Sequence, residues 1–202
     1  MSELPESFVR RLAALEASYL ERASPIERSG FGGGAFRWRA EREPILDAVD
    51  RDGHLLDLGC ANGHLAECLV AWGRERGRRL VPWGVDIGAQ LIAEARRRLP
   101  EHADHFFVDD VFAFSPPRRF DFVYSLYDCV PHERLGEYIE RVLARCVAPG
   151  GRLILGAYGS RSRKTEAFDV AGFLRAAGFD VVGTARGGDP AVTAFAWVDE
   201  PG

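Results

Sequence analysis

The stretch His54-Leu-Leu-Asp57-Leu-Gly59-Cys60-Ala61-Asn62-Gly63-His64 decides the fold. A short apolar run ends in Asp57, two glycines bracket Cys60-Ala61-Asn62, and a helical pattern begins at Leu65 and runs to Trp72. A strand that turns through glycines into a helix leaves backbone N–H groups and a helix N-terminus facing any ligand above the turn. A dinucleotide-binding loop carries G-x-G-x-x-G, whose third glycine packs the helix on the strand. Gly59-Cys-Ala-Asn-Gly63-His64 does not have that spacing.

Strand-like and helical runs alternate on either side of this loop, which predicts a parallel sheet with crossover helices. Leu80–Val85 reads as the second strand and is followed by Asp86-Ile87; Pro82 interrupts its pattern. Ala89–Leu99 reads as a helix stopped by Pro100, and His105–Val108 as a short third strand followed by Asp109-Asp110-Val111. Phe120–Ser125 is the fourth strand. Residues 134–147 put Leu135, Tyr138, Ile139, Val142 and Leu143 on one helical face. Pro149-Gly150-Gly151 turns into a fifth strand over 152–157, and Phe168–Ala177 is a helix closed by Gly178. Residues 179–184 and 192–198 read as an antiparallel pair joined around Gly187-Gly188-Asp189-Pro190. Upstream, 6–23 and 39–49 carry helical patterns, separated by Gly30 and Gly32–Gly34.

Four motifs in this order resemble the class I S-adenosylmethionine-dependent methyltransferases: Asp57-Leu-Gly59-Cys60-Ala61-Asn62-Gly63, Gly84-Val-Asp86-Ile87, Val108-Asp109-Asp110-Val111, and Phe120–Ser125 followed by a helix and Ala148-Pro-Gly-Gly-Arg. The loop is similar to D/E-x-G-x-G-x-G with Ala61 at the middle glycine. The resemblance implies an α/β, Rossmann-like sheet of seven mostly parallel strands. It also implies an antiparallel terminal hairpin, helices on both faces and a small helical N-terminal appendage. It implies S-adenosylmethionine as cofactor and S-adenosylhomocysteine as product. Asp86 then holds the ribose, Ile87 packs on adenine, Asp109 or Asp110 receives the adenine amino group, and Val111 offers its backbone N–H. Ser125, at the end of the fourth strand, completes the candidate cofactor set. Residues 1–40 are expected to form a helical cover and 41–202 the cofactor-binding domain. Phe31, Phe36 and Trp38 would supply the cover's apolar surface and the glycines its hinge.

The sulfonium already activates the methyl group, so such a protein needs alignment and exclusion of water more than a dedicated nucleophile. The acceptor side is therefore written less clearly. His132, Asp128 and Tyr127, after the fourth strand, are the candidate proton-handling residues. Trp38, Tyr158 and Arg161 are candidate substrate contacts, Arg161 for an anionic acceptor. There is no Asn/Asp-Pro-Pro-Tyr/Phe after the fourth strand and no Pro-Cys pair, which argues against methylation of nucleic-acid bases. A small-molecule acceptor of specialised metabolism, with an oxygen, nitrogen or sulfur nucleophile, is the leading expectation. An RNA or protein methyltransferase and a non-catalytic cofactor-binding module stay open. A nicotinamide-dependent oxidoreductase is disfavoured by the loop spacing and by the absence of Tyr-x-x-x-Lys, since Lys164 is the only lysine.

A net charge of -4 over 202 residues gives no basic surface for nucleic acid. The four cysteines, 60, 68, 129 and 146, lack metal-ligand spacing, so no metal and four free thiols are expected. The N-terminus has neither a basic start nor an apolar run, and no segment is apolar over a membrane's width. A cytoplasmic protein that engages no membrane is the resulting expectation.

Overall fold

The computed structural model describes residues 4–200. Seven strands form one sheet: β1 Gly53–Leu58, β2 Leu80–Asp86, β3 Phe106–Val108, β4 Phe120–Leu126, β5 Val147–Tyr158, β6 Gly183–Gly187 and β7 Thr193–Asp199. Their order is β3-β2-β1-β4-β5-β7-β6. β7 runs antiparallel to both β5 and β6, and every other pairing is parallel. The chain reverses its direction of travel across the sheet between β1 and β4. The carboxyl ends of these strands form the crevice in which open α/β sheets bind ligands.

Six α-helices surround the sheet: α1 Glu6–Leu20, α2 Gly34–Arg42, α3 His64–Glu75, α4 Ala89–Arg98, α5 Leu135–Cys146 and α6 Val170–Ala176. On one face Trp38, Ile45, Leu46, Leu69 and Trp72 pack over Leu55, Phe122, Tyr124 and Phe195. On the other, Leu135, Tyr138, Ile139 and Val142 of α5, with Val170 and Leu174 of α6, pack over Leu56, Leu58, Val123, Leu153 and Leu155. Each of these large side chains, fully buried, contributes about 1.5–3 kcal/mol. Among the described residues no helix is long and apolar enough to cross a membrane.

The second helix departs from its predicted limits. It begins at Gly34 rather than Arg39 and passes at Glu43 into a tighter 3-10 turn that ends at Ala48. Pro44 has no N–H, so the carbonyl of Ala40 has no helical partner there. That carbonyl instead accepts from Gly188 N at 2.9 Å, and the carbonyl of Glu41 accepts from Thr193 Oγ1 at 2.8 Å. The proline thereby frees the Ala40 carbonyl, and the two bonds together tie α2 to the β6–β7 hairpin. Trp38, Glu41 and Arg42 are consequently buried, so α2 runs as one packed element across the expected division at residue 40. Phe36 stays 89% exposed, contrary to its expected role in a covering apolar surface.

The hairpin strands begin later than predicted, at Gly183 and Thr193. β5 extends back to Val147 through the Pro149-Gly150-Gly151 irregularity. All four cysteines are free.

Gly63, at the start of α3, has φ +72, and a Cβ placed on it would meet Ala95 Cβ of α4 at 2.8 Å. Gly63→Val is expected to destabilise the protein by about 2–4 kcal/mol, from left-handed strain and overpacking together. The midpoint of urea unfolding measures this.

Candidate functional site

Two cavities meet above Gly59, at the carboxyl end of β1. The first, about 520 Å³, is lined by Gly59, Asp86, Ile87, Leu91, Asp110, Val111 and Cys129 from the sheet side. Leu12, Leu15, Glu16 and Tyr19 of α1 close it from above. The second, about 390 Å³, is lined by Asp57, Gly59, Cys60, Ala61, Leu65, Tyr124, Leu126 and Tyr158, with Ser29, Trp38 and Arg42 from the N-terminal segment.

Parallel pairing sets the floor of this site. Asp57 lies opposite Gly84, Leu58 opposite Val85, and the N–H groups of Gly59 and Cys60 both donate to Val85 O. The Asp86 carboxylate then spans two loops: Oδ2 accepts from Ala61 N at 2.9 Å and Oδ1 from Gly88 N at 2.8 Å. Burial raises the Asp86 pKa above the usual carboxylate range, these two N–H groups oppose the rise, and the Glu16 charge adds to it. Asp110 is buried in the first cavity and accepts Phe112 N at 2.9 Å, whereas Asp109 is exposed and turns back to cap Asp110 N. Of the two acids left open by the sequence, Asp110 is the one in the cavity wall.

Asp57 and Arg42, each with one unsatisfied polar atom, both line the second cavity. Asp57 is 2% exposed, its Oδ2 has no hydrogen-bond partner, and burial with the Asp86 charge pushes its pKa to about 7. Arg42 is boxed by the faces of Phe31, Trp38 and Tyr158 at 4.2–4.3 Å. Its NH1 is 3.5 Å from Glu41, and its Nε has no partner. Glu41 is shared with Arg37 at 3.0 Å and Arg161 at 3.6 Å, so one carboxylate faces three guanidinium groups. Buried charge left uncompensated in this way is costly, and a complementary ligand removes the cost.

Tyr19 lines the first cavity. Its hydroxyl packs on Gly30, where a Cβ would come within 2.4 Å of it. Burial, then the charges of Asp128, Asp86 and Cys129, push its pKa up to about 12, so it stays a neutral donor. Asp128 is exposed, next to Cys129 of the first cavity, and desolvation by the surrounding protein raises its pKa.

Several predicted site residues are elsewhere. His132 is exposed and packs edge-on against Phe168, and Tyr127 stacks on Phe168 at 4.7 Å; both lie outside the walls of the two cavities. Local aromatic packing on the segment before α6 takes them there. Ser125 is fully buried and bonded to Tyr138 Oη at 2.8 Å, beneath the site. Asn62 is also fully buried and anchors the N-terminal segment through Pro25 O and Ser29 Oγ. Arg161 NH2 is bound to the carbonyls of Asp189 and Pro190. Trp38 and Tyr158 line the second cavity beside Arg42, and Tyr158 shares a hydrogen bond with Tyr124 at 2.7 Å. Among the described residues no cluster of three or more His, Cys, Asp or Glu is arranged to hold a metal.

Sequence reasoning missed Arg42, Glu16 and Tyr19. Arg42 sits in a charged helical run and reads as surface; its spacing of four from Trp38 was the available signal.

With this geometry, the match to known proteins becomes specific. Residues 55–151 match the methyltransferase domain family. Over that stretch, a little under half of the chain, the protein is similar to a methyltransferase domain, the family that its motifs resemble. Trans-aconitate 2-methyltransferase of Methylobacterium nodulans is 38% identical over 101 residues, which are 49% of this chain. The match spans only 36% of that protein. Two solved structures share the fold. One is the Burkholderia thailandensis 1,6-didemethyltoxoflavin-N1-methyltransferase with bound 1,6-didemethyltoxoflavin and S-adenosylhomocysteine. It has TM-score 0.69 and 18% identity, over 100% of this chain and 92% of that one. The other is the Synechocystis PCC 6803 magnesium protoporphyrin IX methyltransferase with bound S-adenosylmethionine. It has TM-score 0.65 and 15% identity, over 99% and 100%. The chain thus shares the fold of these proteins at low sequence identity.

The buried acid of the second cavity has a measurable signature. Its folded pKa of about 7 is above the unfolded carboxylate value, so the folded protein binds the extra proton. Stability contributed by Asp57 is therefore present at low pH and lost as pH rises from about 4 to about 7, by at most about 4 kcal/mol. Asp57→Asn is expected to flatten that part of the stability–pH curve and to be more stable than the parent at pH 8. Chemical denaturation between pH 5 and 8 tests both.

Proposed function

We propose that the protein transfers a methyl group from S-adenosylmethionine to a small-molecule acceptor with an oxygen, nitrogen or sulfur nucleophile. The joined cavities carry this reading. One offers a carboxylate and apolar walls suited to a nucleoside. The other offers a guanidinium Nε and a carboxylate Oδ2 that both lack partners, a pattern that suits an amino-acid end group. In this reading Asp86 accepts from the ribose hydroxyls, Ile87, Leu91 and Val111 face the adenine, and Asp110 receives its amino group. The Gly59–Gly63 loop runs beneath the sulfur, Asp57 takes the ammonium group and Arg42 the carboxylate. These residues fit the cofactor, because it satisfies Asp57 Oδ2 and Arg42 Nε, which the protein leaves orphaned.

When bound, the sulfonium supplies an activated methyl group. The chain's own residues do the rest. Leu12, Leu15 and Tyr19 exclude water from above, and the junction at Gly59 sets the line of approach. Asp128, beside Cys129 of the first cavity and with a raised pKa, is the candidate to take the acceptor's proton. His132 and Tyr127 stand aside from that path. The N-terminal residues up to about 40 act as a cover that opens for exchange. A small acceptor agrees with the mild acidic charge and with the trans-aconitate and toxoflavin-precursor names of similar proteins. An acceptor of specialised metabolism remains part of the proposal. Free thiols agree with a cytoplasmic location.

Calorimetry tests the reading directly. S-adenosylhomocysteine is expected to bind in the micromolar range and NAD not at all; heat with NAD alone would overturn the assignment. Asp86→Ala is expected to cost about 2–4 kcal/mol of that affinity, the loss of hydroxyl bonds to a charged acceptor.

The same titration has a pH dependence. The ammonium group needs Asp57 ionised, and Asp57 in the free protein titrates at about 7. Affinity is therefore expected to fall about tenfold from pH 8 to pH 6. A flat profile would remove Asp57 from contact with the ammonium group.

A further inference from the structure

We propose that Glu16 is a ribose-binding residue: its carboxylate on α1 and that of Asp86 on β2 share the two vicinal hydroxyls of the ribose, so that capture of the cofactor closes α1. This deepens the S-adenosylmethionine reading and rests on it.

Leu12, Leu15, Glu16 and Tyr19 form one helical face at i, i+3, i+4 and i+7, and that face is the roof of the first cavity. Glu16 is its only carboxylate. A Cβ placed on Gly88 would lie 2.9 Å from Glu16 Oε1 and 3.1 Å from Asp86 Oδ1. The two carboxylates are therefore within about 6 Å of each other, a distance at which like charges resist joint ionisation. The backbone N–H groups of Ala61 and Gly88 already bind Asp86, one on each oxygen. They hold it in place but give nothing to Glu16. A vicinal diol is neutral and carries two adjacent O–H donors that two carboxylates can share.

Glu16 also accepts the N–H of Gln90 at 3.2 Å, in the first turn of α4. Gly88, at the N-cap of that helix, has no side chain to do this. The bond fixes where the carboxylate stands when α1 is closed. Without a diol, closure sets the two carboxylates against each other; with one, closure adds a hydrogen bond to a charged acceptor. A ligand that interacts differently with the two states shifts the helix between them.

A residue that only caps α4 would weaken all ligands alike, so the test is a cycle. S-adenosylhomocysteine and its 2′,3′-dideoxy analogue are titrated into wild type, Glu16→Ala and Glu16→Gln by calorimetry. The wild-type preference for the ribose form is expected to shrink about tenfold in Glu16→Ala. In Glu16→Gln, which keeps an acceptor oxygen, it is expected to stay within about threefold of wild type. In wild type, amide exchange across residues 6–20 should slow with S-adenosylhomocysteine and not with the analogue. Equal preferences in wild type and Glu16→Ala, or equal slowing of exchange by both ligands, would overturn the proposal and leave the cofactor reading intact. Failure of wild type to bind either ligand would overturn both.

Discussion

The carboxylate of Asp86 joins the loop after β1 to the loop after β2, and the site's shape depends on it. Ala61 sits at φ +46, left-handed for a residue with a side chain, at a cost of about 1–2 kcal/mol. Its N–H is given to Asp86 Oδ2, and a hydrogen bond to a charged acceptor is worth about 1.5–3 kcal/mol. The bond offsets the strain, so the loop can keep alanine where the family pattern has glycine. Because β1 and β2 are paired in parallel register, Asp57 and Asp86 end at neighbouring levels, and the mutual field of these acids is built into the ladder.

A second constraint comes from Pro44. It frees the Ala40 carbonyl for Gly188 and, with the bond from Thr193 to Glu41 O, a charged helix is held against the terminal hairpin. Glu41 and Arg42 enter the core as a result, and three aromatic faces hold the Arg42 guanidinium flat. An isolated buried Arg would be strongly destabilising. The shared Glu41 and the aromatic box reduce that cost, and the orphaned Nε keeps a residual demand for an anion. Stability and ligand recognition thus draw on the same few side chains.

The N-terminal segment is stitched to the sheet domain at separate points rather than hung from a glycine hinge. Asn62 holds Pro25 and Ser29, Arg28 pairs with Glu94, and Tyr19 packs on Gly30. Within α1, Phe8 is buried in the core with Val9 packed against it, while Leu12, Leu15, Glu16 and Tyr19 lie along the cavity roof.

The sequence by itself determined the sheet and the floor of the site. Strand-like runs, glycine turns and the acids Asp57, Asp86 and Asp110 all lie within local segments, and their roles follow from position at strand ends. Nearest-neighbour pattern is enough there, because a parallel strand buries both faces and its following loop is confined to the crevice. The tertiary structure alone decided the roof and the charge balance. Arg42, Glu16 and Tyr19 are ordinary helix residues in the sequence, and only packing over the sheet turns them toward the ligand space. Likewise His132 and Tyr127 follow the correct strand, yet packing on Phe168 carries them off the walls. Contacts between residues distant along the chain depend on how whole helices dock, and no local spacing encodes that.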